Sequence, residues 1–133
     1  MKIKIILIGN SSLLRNCINY ILKYSNEVFV ITKDIEIKNN FKKKVKFIKF
    51  EQLHKIRADY LFSILNEKII SSKQLESIKK FSINFHDGPL PKYAGLFSSS
   101  WAIYNKEKKH GVCWHKINKT IDTGDIILEK KFN

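Results

Sequence analysis

Cysteine, proline and glycine are all scarce here: the 133 residues hold two Cys, two Pro and five Gly. Cys17 falls on the apolar face of an expected helix and Cys113 inside an expected strand. Neither has a metal-like partner spacing, so no thiolate metal site is expected. Both read as small buried hydrophobes in a reducing compartment. Long hydrophobic runs are missing as well. Ile5-Ile6-Leu7-Ile8 behind Lys2 and Lys4 superficially resembles a signal peptide, but it stops at Gly9-Asn10-Ser11-Ser12 and is too short. No later segment approaches a membrane-spanning length. The expectation is a cytoplasmic protein without a membrane partner. Acidic residues are few, 12 against 25 Lys+Arg, which leaves a formal charge of +13. That balance invites a nucleic-acid reading. The excess is almost all Lys, and Ile and Asn are abundant too, as a low-GC coding bias would produce. No arginine cluster and no basic face with interleaved aromatics stands out. Lys42-Lys43-Lys44 is the one run and reads as a solvated loop, so generic nucleic-acid binding is set aside.

What is present is a chain that is 44% hydrophobic, enough for one folded domain with a core. Residues 2–8 read as a buried strand. The turn at Gly9-Asn10 leads into a helix capped by Ser11 or Ser12, along which Leu13, Leu14, Cys17, Ile18, Ile21 and Leu22 recur at helical spacing. Residues 28–31 form a second apolar strand. Strand, helix, strand with apolar strands points to a parallel sheet covered by helices, an α/β protein. Residues 33–44 are polar and poorly periodic. Short strands follow at 45–50 and 60–64, with a brief helix at 52–56 between them. Ser71-Ser72 should cap a helix with Leu75 and Ile78 facing inward. Residues 82–85 are a fifth strand. A helix over 97–104 should pack Trp101 and either Ile103 or Tyr104 inward, and strands follow at 111–117 and 126–132.

The fifth strand delivers Asn84-Phe85-His86 into Asp87-Gly88-Pro89-Leu90-Pro91-Lys92-Tyr93-Ala94-Gly95, a loop with both prolines of the chain. Further on come His115 and Asp122-Thr123-Gly124-Asp125. Asn84 and His86 are two apart on a strand and share a face. A carboxamide and an imidazolium can stabilise an oxyanion. A carboxylate beside the imidazole favours its charged form and can relay a proton. Asn84, His86 and Asp122 are therefore the candidate catalytic set for acyl transfer to an amine. Taken singly, each has a bland reading as a turn former or a structural histidine. Their order, with Pro91 and Gly95 in the loop, is what argues for chemistry.

Ile83-Asn84-Phe85-His86-Asp87-Gly88-Pro89-Leu90-Pro91-Lys92-Tyr93-Ala94-Gly95 resembles the signature loop of the folate-dependent formyltransferases. Gly111-Val112-Cys113-Trp114-His115, continuing to Ile121-Asp122-Thr123-Gly124-Asp125-Ile126-Ile127, resembles their second signature. The likeness reaches forward from Lys2 and covers most of the chain. It implies a doubly wound, mostly parallel sheet flanked by helices, a Rossmann-like formyltransferase fold, with an antiparallel pair near the C-terminus. It implies 10-formyltetrahydrofolate as co-substrate, with Asn84 and His86 holding the formyl oxygen and Asp122 orienting His86. It places the pterin between Lys68-Ile69-Ile70 and the stretch from Ile117 to Ile121. Gly88, Pro91 and Gly95 belong to the substrate loop, and His115 has a supporting role.

The Asp87-Gly88-Pro89 form departs from the Pro-Ser-Leu-Leu-Pro pattern of many members. It looks most like formyltransferase-type domains at the start of some non-ribosomal peptide or polyketide synthetases. The turn after the first strand lacks a second glycine, which argues against a phosphate cradle. Residues 1–133 are expected to be one catalytic domain, truncated at its C-terminus. The acceptor is expected to be a primary amine: a small amino-sugar, or an aminoacyl group on a carrier protein or tRNA. A homo-oligomer or a further C-terminal domain would cover apolar surface left bare near residue 133. Two rival readings keep the donor, a 10-formyltetrahydrofolate hydrolase and an inactive folate- or carrier-binding module.

Overall fold

The computed structural model describes residues 2–133. The chain divides into two compact units, Met1–Ser82 and Ile83–Asn133.

In the first unit, β1 (Lys4–Gly9), β2 (Glu27–Ile31), β3 (Lys46–Phe47) and β4 (Ala58–Ile64) lie in the order β3-β2-β1-β4. The opening part of β5 (Ile78–His86) comes next. β1 pairs in parallel with both neighbours, Leu7 lying opposite Val30 on one side and Phe62 on the other. The strand order changes direction at β1 and β4, the mark of a doubly wound sheet. Residues Ile5 to Ile8 and Val28 to Ile31 are buried throughout, because a central parallel strand faces helices on both sides. Helix α1 (Ser12–Ile21) buries Leu14 and Ile18 completely. Each such side chain contributes about 1.5–3 kcal/mol by leaving water. Ser11 occupies the N-cap position, with no side-chain cap bond.

The polar stretch at 33–44 contains a helix that periodicity alone did not reveal. α2 (Ile35–Phe41) is fixed by a cap, the Asp34 carboxylate accepting from Ile37 N–H at 3.0 Å. Its buried face is only Ile37 and Phe41, one turn apart. Lys42, Lys43 and Lys44 follow it and are exposed. The expected strand at 45–50 shrinks to β3, and residues Phe50–Lys55 make a 3₁₀ turn. α3 (Ser72–Leu75) is a single turn closed by a Ser71–Gln74 capping box. Ile78 does not belong to it; the chain is already extended there and begins β5.

The second unit continues from Ile83 through the rest of β5. It adds α4 (Ser98–Tyr104), β6 (His110–Lys116) and β7 (Ile126–Phe132). β5, β6 and β7 are neighbours in that order, paired antiparallel. The fold is thus α/β, mostly parallel and doubly wound, with antiparallel pairing at its C-terminal end. The expectation for α4 is corrected. Trp101, Ile103 and Tyr104 are exposed, and the inward face is Ser98 and Ala102. These two are four apart, and their small side chains bring the helix close to the loop before it. Every residue of β7 is exposed, including Ile126, Ile127, Leu128 and Phe132. Among the described residues, no helix is long and apolar enough to cross a membrane.

Candidate active site

The antiparallel register of β5 and β6 sets Asn84 opposite His115 and His86 opposite Cys113. Alternation along each strand puts these four side chains on one face. A hydrogen bond of 3.2 Å joins Asn84 Nδ2 to His115 Nε2.

Asp122 reaches the same place from the connection between β6 and β7. Its backbone is left-handed, φ 53°, a region that Asp enters more readily than most residues. The connection is pinned at several points. Lys116 N–H donates to Asp125 C=O at 2.9 Å, and Thr123 Oγ1 donates to Asn118 Oδ1 at 2.7 Å. Gly124 lies so close to the end of β6 that a Cβ there would collide with the Lys116 carbonyl oxygen. Only glycine allows that approach.

The Asp122 carboxylate has a use for each oxygen. Oδ2 accepts from Gly95 N–H at 2.7 Å and stands 3.6 Å from His86 Nδ1. Oδ1 stands 3.2 Å from His115 Nε2. The Asp122 side chain is 9% exposed and those of His86 and His115 are 6% and 3% exposed. His115 Nδ1 faces the Lys116 carbonyl at 2.9 Å, so Nδ1 carries a proton. Nε2 is then the acceptor for Asn84 Nδ2–H.

On its other side, His86 Nε2 lies 2.5 Å from the Tyr93 carbonyl oxygen and 3.1 Å from Ser98 Oγ. Ser98 Oγ also donates to that carbonyl, at 2.9 Å. The ring of Tyr93 is anchored in turn: its hydroxyl donates to Glu107 Oε1 at 2.8 Å and accepts from Asn105 Nδ2 at 3.1 Å. Lys92 also donates to Glu107. The hydrogen bond from Lys92, then that from Tyr93, holds the Glu107 carboxyl below the usual carboxylate range. Burial pushes the Cys113 thiol up, and the negative charges of Asp122 and Glu129 add to this. Burial also raises the thiol of the half-buried Cys17.

The structure therefore gathers Asn84, His86, His115 and Asp122 within the second unit. Of the substrate-loop residues, Gly95 supplies an N–H to Asp122, Pro91 is exposed, and Gly88 is buried against Ser98 and Tyr93. Ile117 is half-buried and Ile121 is 58% exposed, both on the connection that carries Asp122. In the first unit, Lys68 and Ile69 line an open recess of about 730 Å³ together with Phe50, His54 and Gln74. Lys68 Nζ sits 4.8 Å above the Phe50 ring, and its backbone is tied at both ends to the Asn66 side chain. Ile70 is buried and does not line the recess. Sequence reasoning missed Ser98 and Glu107, and it missed the use of the Tyr93 carbonyl. A main-chain carbonyl leaves no mark in the pattern of side chains, and Ser98 sits in an undistinguished Ser98-Ser99-Ser100 run. Among the described residues, no group of three or more His, Cys, Asp or Glu could hold a metal ion.

Several known proteins are similar to this chain in sequence or fold. The methionyl-tRNA formyltransferase of Clostridium novyi is 32% identical over 107 residues, covering 74% of this chain and 34% of that protein. The GDP-perosamine N-formyltransferase of Brucella melitensis is 33% identical over 75 residues, covering 56% of this chain and 29% of its own length. This chain thus spans about a third of the length of those curated relatives. The crystal structure of an N-formyltransferase from Helicobacter canadensis, in complex with folinic acid and dTDP-3-aminofucose, superposes with a TM-score of 0.82 at 31% identity. That superposition covers 98% of this chain and 52% of the other. Residues 29–133 match the formyl transferase family, and the chain belongs to that family.

Proposed function

We propose that residues 1–133 form a catalytic domain that transfers a formyl group from 10-formyltetrahydrofolate to a primary amine. The observation that carries this reading is the convergence of Asn84, His86, His115 and Asp122 on one dry face. In the reaction, the amine nitrogen bonds to the formyl carbon, and the bond from that carbon to N10 of the folate breaks. The amine gives up a proton, and N10 gains one. Negative charge grows on the formyl oxygen as the amine attacks. Asn84 has two N–H groups, of which one faces His115, so the other can donate to that oxygen. A protonated His86 Nδ1 is the second donor, and preorganised donors of this kind are usually the largest single contribution to catalysis. Asp122 accepts the proton from the attacking nitrogen, and Gly95 N–H holds its carboxylate in place.

Ile69 leaves an apolar side chain in contact with water at the recess of the first unit. Such side chains suit the flat face of a pterin. The Helicobacter canadensis protein was solved with a folate and an amino-sugar nucleotide. The Clostridium novyi relative is named for an aminoacyl-tRNA. An amino-sugar, or an aminoacyl group on a carrier or tRNA, is the acceptor class for this chain. Both cysteines are free, which suits action in the cytoplasm.

The test is release of tetrahydrofolate from 10-formyltetrahydrofolate, followed by absorbance, with and without a pool of amines. Amine-dependent release is expected. Amine-independent release would make the protein a hydrolase. Folate binding without any release would make it a binding module.

A further inference from the structure

We propose that Ser98 is a positioning residue that, with the Tyr93 carbonyl, keeps the Nε2 proton on His86 and makes Nδ1 the nitrogen that works. The Tyr93 carbonyl can only accept, and at 2.5 Å it demands a donor. The Ser98 hydroxyl donates its own hydrogen to the same carbonyl, which turns its lone pairs toward Nε2 at 3.1 Å. Both neighbours on that side therefore require Nε2–H. The exchangeable site falls on Nδ1, the nitrogen that faces Asp122. A hydrogen bond made by the other ring nitrogen is the usual way a protein selects a histidine tautomer.

Two further features show that the fold accommodates Ser98 at a cost. Phe97, the residue before it, adopts a left-handed backbone, φ 60°, while its ring is exposed. A bulky side chain is strained in that conformation, and such strain concentrates at functional sites. Gly88 leaves the space that Ser98 fills, since a Cβ there would lie 2.7 Å from the Ser98 Cβ. The line Ser98–His86–Asp122 superficially matches a nucleophile, a base and a carboxylate. The geometry rejects that role: Nε2 has no lone pair to offer, and Ser98 is 1% exposed.

The experiment is ¹⁵N NMR of the His86 ring in labelled full-length protein, with Ser98→Ala alongside and Ser99→Ala as a neighbouring hydroxyl control. The neutral ring of the wild type should be overwhelmingly the Nε2–H tautomer. Ser98→Ala should raise the Nδ1–H population and lower kcat about 3- to 10-fold, the size expected for one hydrogen bond. KM for the folate and the Ser99→Ala rates should stay unchanged. A wild-type ring protonated mainly on Nδ1 would overturn the proposal, even if Ser98→Ala did not fold. Unchanged tautomer and kcat in a folded Ser98→Ala would overturn it too. The kinetic arm rests on the formyl-transfer reading, whereas the tautomer needs no turnover, so failure of one is distinguishable from failure of the other.

Discussion

His86 Nδ1 and Asp122 Oδ2 are 3.6 Å apart, too far for a direct hydrogen bond. Oδ2 already accepts from Gly95 N–H, and the gap leaves His86 Nδ1 able to engage a third atom. Asp122→Asn tests the charge without disturbing the backbone, because Asn also tolerates the left-handed conformation that Asp122 adopts. Turnover should fall about 10²- to 10⁴-fold with an unchanged far-UV circular dichroism spectrum. Wild-type rates in this variant would remove Asp122 from the proton path.

His86→Ala removes both the donor to the formyl oxygen and the ring between Tyr93 and Asp122. The loss in kcat should be on the order of 10³-fold or more. Stability should drop by about 1–3 kcal/mol, since Ser98 still donates to the Tyr93 carbonyl. Urea titration and the folate assay together check this. A mild kinetic effect would mark His86 as a structural histidine.

Gly124→Ala places a methyl group against the Lys116 carbonyl oxygen. The connection must move away from β6 and take Asp122 with it. The expected result is a destabilisation of about 1–3 kcal/mol together with near-complete loss of turnover. Retained activity would show that the position of Asp122 does not depend on that close approach.

Glu107 carries a pH signature. Its carboxyl is held below the ordinary glutamate range, first by Lys92 and then by Tyr93. A depressed value in the folded state means that the ionised form is the better bound one. The contribution is therefore present above the ordinary glutamate pKa and is lost as the pH falls through the lower folded value. Thermal midpoints of wild type and Glu107→Gln should differ at neutral pH and converge in acid. The group is solvated, so added salt should narrow the difference as well. Parallel curves at every pH would show that Glu107 does not anchor Tyr93 through its charge.

The central strands and the shared face of Asn84 and His86 were legible in the sequence because each rests on local rules. Ile5 to Ile8 could only be a covered strand, and Asn84 and His86 could only share a face. α2 was not legible: its existence depends on one cap at Asp34 and two buried residues, too few to register as a period. α4 was misjudged for the opposite reason. Trp101 and Tyr104 look like core by hydrophobicity, yet they meet edge to face at the surface, and Ser98 and Ala102 take the inside. The seat of His86 was invisible because a main-chain carbonyl forms it. Family likeness covered Tyr93 as a letter of a motif and carried no hint of which of its atoms matters.

The bare strand β7 has a consequence for handling. Among the described residues it ends the strand order and presents Ile126, Ile127, Leu128 and Phe132 to water. Such an edge is a template for unwanted pairing with another chain. Lys130 and Lys131 lie on the same strand and act as gatekeepers, and the surplus of thirteen positive charges keeps copies apart in dilute buffer. Salt screens that repulsion without weakening the apolar edge. Copies of this chain should therefore stay dispersed better in low-salt than in high-salt buffer.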